Sequence, residues 1–480
     1  MSESGSLLFV RSKSLFVLVL IVVGYNCSDT SAWQASTPVP TAGLGRGVNF
    51  ANMLEAPYEG AWGLFAEERY FDHAKAAGFD HVRLPVSWAY HADATAPYTI
   101  DSLFIERVDW CIEQALQREL KIIVNFQYYG EFNQQPAVEK ARFLGIWRQI
   151  AERYANQPNQ LLFEPFNEPH GVFNEDPQLW NDIIPEYLTV IRETNPNRKV
   201  IVGPTHWNSA AKLPSLELPE DPNLIVTIHH YDPFDFTHQG AFWLSPVLPT
   251  GRTFFPSKFV FQPGWQDWSW ETETRSTATG IWLDYDEFYS GFRVHKDDGF
   301  ENASRLVFSA DTELILSVTF INENGDEGTI PLLTEDRFRN YVIDIPSLGV
   351  TGKLTDVVIQ NNGTPPGTRW RCRNMILFSD NGQIEYIIQT EKRAIQYQLE
   401  TAAKWAVENN VPLYLGEFGS YELADMPSRV RWSKQVRVAC ENRNIDWGYW
   451  GLAGSFGIFD PILEEFHFEL TRSMIPGFGP

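Results

Sequence analysis

Cysteine is scarce in this 480-residue chain, which has four. Cys27 lies in an N-terminal stretch with the pattern of a removable signal, and the remaining Cys111, Cys372 and Cys440 are an odd set that supports no disulfide framework. Cys111 and Cys440 fall in helix-patterned segments, where a lone thiol serves as a small buried hydrophobe. No helical histidine pair or cysteine cluster completes a ligand set around His229 and His230, so neither metal nor cofactor is expected. Basic side chains are in deficit, 38 against 61 acidic ones, and the formal charge of −23 repels phosphate backbones. Nucleic acid is thereby excluded as a partner, whereas a neutral substrate fits. A membrane-spanning run is missing too: the apolar stretch from Leu15 to Val23, behind Arg11 and Lys13, is too short and has the form of a signal peptide.

Cleavage after Thr30-Ser31-Ala32 gives residues 1–32 as signal peptide and 33–43 as a Ser/Thr/Pro leader. The alternative is a lipid anchor on Cys27 at a bacterial surface, although Tyr25-Asn26 departs from the small residues usual before a lipidated cysteine. A secreted monomer is expected, touching a membrane only if Cys27 is lipidated. What the chain has in quantity is aromatic surface: 17 Trp within 14% aromatic residues. Flat rings stack on sugar faces as well as fill cores.

The length exceeds the roughly 250 residues typical of a single eight-stranded barrel, so a second module is expected. Strand patterns at 47–50, 81–88, 120–129, 161–166, 200–203 and 224–231 alternate with helix patterns near 64–77, 102–119, 137–154 and 178–194. Repeated strand–helix units mean a parallel sheet, and this many mean a closed α/β barrel of the (β/α)8 TIM type. After Tyr231 the rhythm fails. About 180 residues separate it from the next such strand, 411–420, where a barrel needs one loop and one helix. The gap holds short alternating segments at 291–295, 304–308, 314–320, 341–345 and 354–359, with turn signals at Asn324-Gly325 and Asn362-Gly363. These predict an all-β sandwich or jelly roll at 263–384, inserted between strand 6 and strand 7. The barrel then occupies 44–262 and 385–480, its second part containing helices near 388–409 and 427–443, a strand at 446–450 and a closing helix near 461–473.

Two strand patterns run into a glutamate. Leu161-Leu-Phe-Glu164-Pro-Phe-Asn167-Glu168-Pro169 breaks at Asn-Glu-Pro, and Val411-Pro-Leu-Tyr-Leu-Gly416-Glu417-Phe418-Gly419 sets its glutamate between glycines that let a ligand approach the backbone. C-terminal strand ends form the active-site face of such barrels. A lone glutamate there is ordinarily a solvated loop residue, but two on different strands make a pair. In His81-Val-Arg83-Leu an arginine stands among apolar residues, and a buried arginine must have a carboxylate partner on a neighbouring strand, Glu164 among the candidates.

Asn167-Glu168-Pro169 and Gly416-Glu417-Phe418-Gly419 resemble the acid/base and nucleophile motifs of the family 5 glycoside hydrolases, the cellulase family. The likeness covers most of the chain except the insert. It implies Glu168 as acid/base and Glu417 as nucleophile, with Arg83 supporting Glu417, Asn167 on the sugar 2-hydroxyl, and His229 and Tyr231 lining the cleft. It also implies Trp450 as a sugar-stacking platform, and Asn52 and Glu55 as contacts to the next sugar along. Retaining hydrolysis needs a proton donor and a carboxylate about 5–5.5 Å apart. The pair must titrate apart, Glu417 ionised beside Arg83 and Tyr231, and Glu168 protonated because a negative neighbour raises its pKa. Gln127 departs from the histidine many members have there. It can hydrogen-bond sugar but carries no charge, so a shifted substrate preference or pH optimum is expected.

The expected function is retaining endo-hydrolysis of β-1,4-linked glucan, cellulose-like or mixed-linkage. A β-mannanase or glucomannanase, or an exo-acting β-glucanase, would use the same pair. A catalytically weak carbohydrate-binding protein is the alternative of another class, although a pure binder has no need of paired carboxylates. In pattern the insert resembles a carbohydrate-binding module, with Trp265, Trp268, Trp270, Trp282 and Trp370 as stacking residues; a lid or spacer is the other reading.

Overall fold

Eight short parallel strands close into a barrel: β1 Arg46–Asn49, β2 His81–Leu84, β3 Lys121–Asn125, β4 Leu161–Glu164, β5 Val200–Val202, β6 Leu224–His229, β7 Leu413–Phe418 and β8 Asp446–Tyr449. This is a computed structural model, which describes residues 38–262, 264–382 and 384–479. The signal, the leader up to residue 37 and Cys27 lie outside the described residues. Most strand residues are apolar end to end rather than alternating, because helices cover the outside of the barrel while side chains fill its interior. Ile123, Leu162, Ile201, Ile225 and Tyr414 form one apolar cluster with Ala42 and Leu44 from the segment before β1. Register then gathers the polar residues at the opposite end, where Asn49 pairs with Arg83 and Asn125 with Glu164.

The principal helices are Glu68–Ala77, Ser102–Gln117, Pro136–Arg153, Pro177–Arg192, Glu391–Glu408 and Met426–Glu441. Asp101, Asp176, Thr390 and Asp425 cap four of them through a side-chain oxygen on a free backbone N–H. Trp147, Trp180 and Trp432 are fully buried on these helices. The closing helix expected near 461–473 is shorter: Phe459–Asp460 and Glu465–Phe466 pair as a two-stranded ribbon, and helix occupies only Phe468–Met474. The Asp460 carboxylate accepts from the Ile462 and Leu463 amides, holding that turn instead of a helical one.

Between β6 and β7 stands the antiparallel insert. One five-stranded sheet runs in the order 327–333, 315–322, 354–361, 291–300, 266–267; a second runs 339–344, 303–310, 375–379, 384–390, 259–261; a third has three strands, 368–372, 280–285, 272–277. Their inner faces share one core that includes Phe292, Val294, Phe320, Val357, Ile359, Trp265 and Trp370. The insert reaches beyond the expected limits of 263 and 384, because Phe259–Phe261 and Ile384–Thr390 pair with each other inside it. Trp370 and Trp265 are corrected from stacking residues to core, being 0% and 5% exposed. Trp282 is half-buried under Arg371, whereas Trp268 and Trp270 are exposed. Cys111, Cys372 and Cys440 are free and buried. Among the described residues, no helix is long and apolar enough to cross a membrane.

Candidate active site

Arg83, projecting from β2 into the barrel mouth, organises the site. It is fully buried, and all five of its N–H groups are used. Nε and Nη2 donate to the two oxygens of Glu164 at 2.6 and 2.7 Å. Nη1 donates to Glu417 Oε1 at 2.6 Å and Asn49 Oδ1 at 2.8 Å, and Nη2 also donates to Asn167 Oδ1 at 2.6 Å. The fork thus spans four strand ends, matching one planar cation to two carboxylates and two amides. Glu164 takes two of the guanidinium N–H groups and Glu417 a third, so one buried cation serves two carboxylates.

Glu417 is held at both oxygens, Oε1 by Arg83 and Oε2 by the Tyr231 hydroxyl at 2.9 Å. Burial pushes its pKa up, but His229, the Arg83 charge, and the hydrogen bonds from Arg83 and Tyr231 together hold it below the ordinary glutamate value. Glu168 moves the other way. Burial and the neighbouring Glu417 charge raise its pKa against the opposing His229 hydrogen bond. Its partner is His229 Nδ1, at 2.6 Å from Oε1. Asn208 Nδ2 lies 3.2 Å from His229 Nε2, which assigns the imidazole proton to Nδ1 and makes it a donor to Glu168. Glu168 sits at φ 52°, in the left-handed region that costs an L-residue about 1–2 kcal/mol. That turn aims its carboxylate back across the mouth.

One ligand atom from each of Glu168, His229 and Glu417 can be chosen so that all three lie within 4.8 Å of one another. That brings the two carboxylates close to the roughly 5–5.5 Å of retaining glycosidases and short of the 6.5–9.5 Å that leaves room for an inverting water. The same trio is a set that could hold a cation, but Glu417 already carries Arg83 at 2.6 Å, and Tyr231 fills its other oxygen. The Glu168 side chain retains 24% exposure against 5% for Glu417, so the former meets solvent and the latter does not.

Around this pair the other expected residues divide. Asn167 turns its Oδ1 to Arg83, so its amide hydrogens are the groups left to meet a ligand. Trp450 is half-buried and packs with Tyr231 against Ala241, Tyr421 and Phe456, one wall of the cleft. Gly419 is required beside it, since a Cβ there would stand 2.2 Å from the Trp450 carbonyl oxygen. Gln127, 4% exposed, accepts from Asn125 Nδ2 at 2.6 Å. Asn52 lies at φ 66° with its side chain beside Gly454. Glu55 is corrected from a sugar contact to an internal brace. It is fully buried, and its carboxylate accepts from the Asn52 and Met53 amides, so it shapes the loop after β1. Burial raises its pKa to about 7 against those two donors.

Some participants were not anticipated. Asn49 links β1 to its neighbours by donating to the Gly416 and Tyr449 carbonyls while accepting from Arg83; its polar side chain between Val48 and Phe50 was the available signal. Trp207 is 52% exposed, stacks on His170 at 5.1 Å, and sits at φ 56°. Trp62, half-exposed, meets Tyr128 edge-on at 6.1 Å. These rings lie on loops after strands, where no periodicity marks them.

A parallel barrel with two carboxylates facing each other at its mouth, one with its pKa held down beside an arginine and one with its pKa raised, is the architecture of a glycoside hydrolase. The family model for cellulase, glycosyl hydrolase family 5, matches residues 44–287, and the chain belongs to that family. It is 45% identical to endoglucanase H of Acetivibrio thermocellus over 196 residues, 41% of this chain and 22% of that protein. It is 30% identical to endoglucanase C of Acetivibrio thermocellus over 200 residues, 39% of this chain and 57% of that one. The chain therefore spans well under two thirds of these relatives. Among solved structures, Thermotoga maritima Cel5A in complex with mannotriose is similar at 27% identity and a TM-score of 0.61, covering 90% of this chain and 97% of that one. The same enzyme with cellobiose aligns at 28% identity and the same score.

Proposed function

We propose that the chain hydrolyses internal β-1,4-glucosidic bonds of a cellulose-like or mixed-linkage glucan with retention of configuration, Glu168 serving as acid/base and Glu417 as nucleophile. The observation that carries this is the opposed pair: Glu417 bound by Arg83 and Tyr231, and Glu168 bound by His229, with oxygens within 4.8 Å. A glycosidic bond seated between them is attacked at the anomeric carbon by Glu417 while the Glu168 proton passes to the leaving oxygen. Glu417 becomes an ester and loses its charge, which removes the repulsion that kept Glu168 protonated. Glu168, now a carboxylate, takes a proton from water as that water attacks the anomeric carbon and frees Glu417. Asn167 directs its amide hydrogens at the 2-hydroxyl, a contact that strengthens as the ring flattens. Trp450 supplies a flat wall for the sugar face.

Reducing-end release from soluble β-glucan, carboxymethyl cellulose, glucomannan, galactomannan and xylan, with Glu168→Ala as control, tests the assignment. Release from a glucan that disappears in the variant supports it; no release from any polymer by the folded protein overturns it. A β-mannan reading has its own support, the mannotriose complex of the similar Thermotoga maritima enzyme, and galactomannan as the preferred substrate would select it. Export is part of the proposal, resting on the pattern from Arg11 to Ala32. N-terminal sequencing of secreted protein distinguishes cleavage after Ala32 from lipidation of Cys27.

A further inference from the structure

The register of the first five-stranded sheet of the insert fixes what its outer face displays. Trp270 stands opposite Gly291, Gly291 opposite Gln360, Gln360 opposite Ser317 and Ser317 opposite Pro331. The next row across the same strands is Arg293, Val358, Thr319 and Thr329, and the one after it Gln266, His295, Asp356, Ile321 and Glu327. Trp268 donates its backbone N–H to the Arg293 carbonyl, which continues the second row to the sheet edge. Alternate residues of the same strands, Phe292, Val294, Val357, Ile359, Val318 and Phe320, are all fully buried. The sheet is thus amphipathic: on its second face Trp270, Thr329 and Pro331 are exposed and Arg293, Thr319, Ser317 and Gln360 partly so, above a buried Val358 and Asp356.

That face is polar, ordered and bordered by two indoles. Trp268 is 45% exposed and is backed by His295, stacked at 3.8 Å and 16°, with the Arg293 guanidinium 5.1 Å from its ring. Both backing groups are fixed by Asp356, whose Oδ1 accepts from Arg293 Nε at 2.8 Å and lies 2.9 Å from His295 Nδ1, while Thr355 donates to Oδ2 at 2.8 Å. Trp270 lies over Gly291, where a Cβ would stand 2.2 Å from its ring, and is pinned by a 2.9 Å hydrogen bond from Nε1 to the Tyr289 carbonyl. Rigid half-covered indoles beside hydroxyls and amides are what a neutral sugar polymer needs: a flat apolar platform and donors and acceptors for its edges. The net charge of −23 disfavours a polyanion. Among the described residues, the side-chain hydrogen bonds of Gln266, Trp268, Trp270, Arg293 and His295 end within the insert.

We propose that this face, with Trp268 and Trp270 as platforms and Arg293, Thr319 and Gln360 as hydrogen-bonding partners, is a second binding site for a neutral β-linked glucan chain, separate from the cleft. The strands are about 4.8 Å apart, so five of them present roughly 19 Å, room for several sugar units in line. The ligand class rests on the proposed activity of the barrel; the site itself rests on the register and the rings.

Native affinity electrophoresis of the full chain through gels containing soluble hydroxyethyl cellulose tests it, using Glu417→Gln as the background so that the polymer is not cut. Trp268→Ala with Trp270→Ala is expected to weaken retardation about tenfold, the scale of losing a central aromatic anchor. Thr319→Arg, which alters this face without touching the core, is expected to weaken it similarly. In the active background both variants should cleave short soluble cello-oligosaccharides with unchanged kcat/KM. Unchanged retardation in both variants overturns the site. A chain that cleaves no glucan but loses retardation in both variants refutes the proposed catalysis while supporting this site.

Discussion

Arg83→Lys isolates what the five-donor fork does. Lysine keeps the charge but offers three donors on a flexible stem, so at least two of the five hydrogen bonds at 2.6–2.8 Å must go. Each ends on a charged or charge-assisted partner worth about 1.5–3 kcal/mol, a loss of roughly 3–6 kcal/mol. The ammonium will stay with Glu164, the partner Arg83 grips twice, which leaves Glu417 and Asn167 as the groups released. If that loss falls on the transition state, kcat/KM drops by about two to four powers of ten. The sign of the pH effect follows from the same contact. Arg83 helps hold the Glu417 pKa down, so its removal raises that pKa, and the acid limb of the kcat/KM profile moves to higher pH. The assay is release of nitrophenol from an aryl cellobioside between pH 4 and 9, with thermal unfolding alongside. Activity within about threefold of the parent, with the acid limb unmoved, would refute the role assigned to the fork.

His229→Ala removes the donor to Glu168 and the group that lowers the Glu417 pKa, so both limbs of the pH profile should shift upward; a stationary alkaline limb would detach His229 from Glu168. Gly419→Ala places a Cβ against the Trp450 carbonyl, and the displaced indole should raise KM about tenfold, with a smaller change in kcat, as expected for lost ground-state binding. Gln127→His should change the ratio of glucan to mannan cleavage or shift the pH profile; identical specificity and profile would make Gln127 a mere partner of Asn125.

The meeting of the two strand-end glutamates at the barrel mouth was legible in the sequence because charged residues at the ends of apolar strands have few destinations. Arg83 had to meet carboxylates, and both Glu164 and Glu417 are there. The insert was legible because alternation replaces the strand–helix rhythm. What sequence patterning does not carry is which face of a loop residue is covered. Glu55 turned inward onto backbone amides, and Trp370 and Trp265 went into the sandwich core while Trp268 and Trp270 stayed outside. Trp207 and Trp62 depend on loop paths set by neighbouring turns, and no local period records those.

The insert leaves and returns on adjacent paired strands, Phe259–Phe261 and Ile384–Thr390. In polymer terms its folding turns a tether of about 180 residues between β6 and β7 into a short one. Closing a loop of that length rather than the roughly 50 residues left outside the insert costs about 1.1 kcal/mol more, from the logarithmic growth of closure entropy. The folded insert therefore acts as a clasp on the barrel seam. A change that melts the sandwich alone would still loosen the pairing of β6 with β7, the two strands that present His229 and Glu417 to each other.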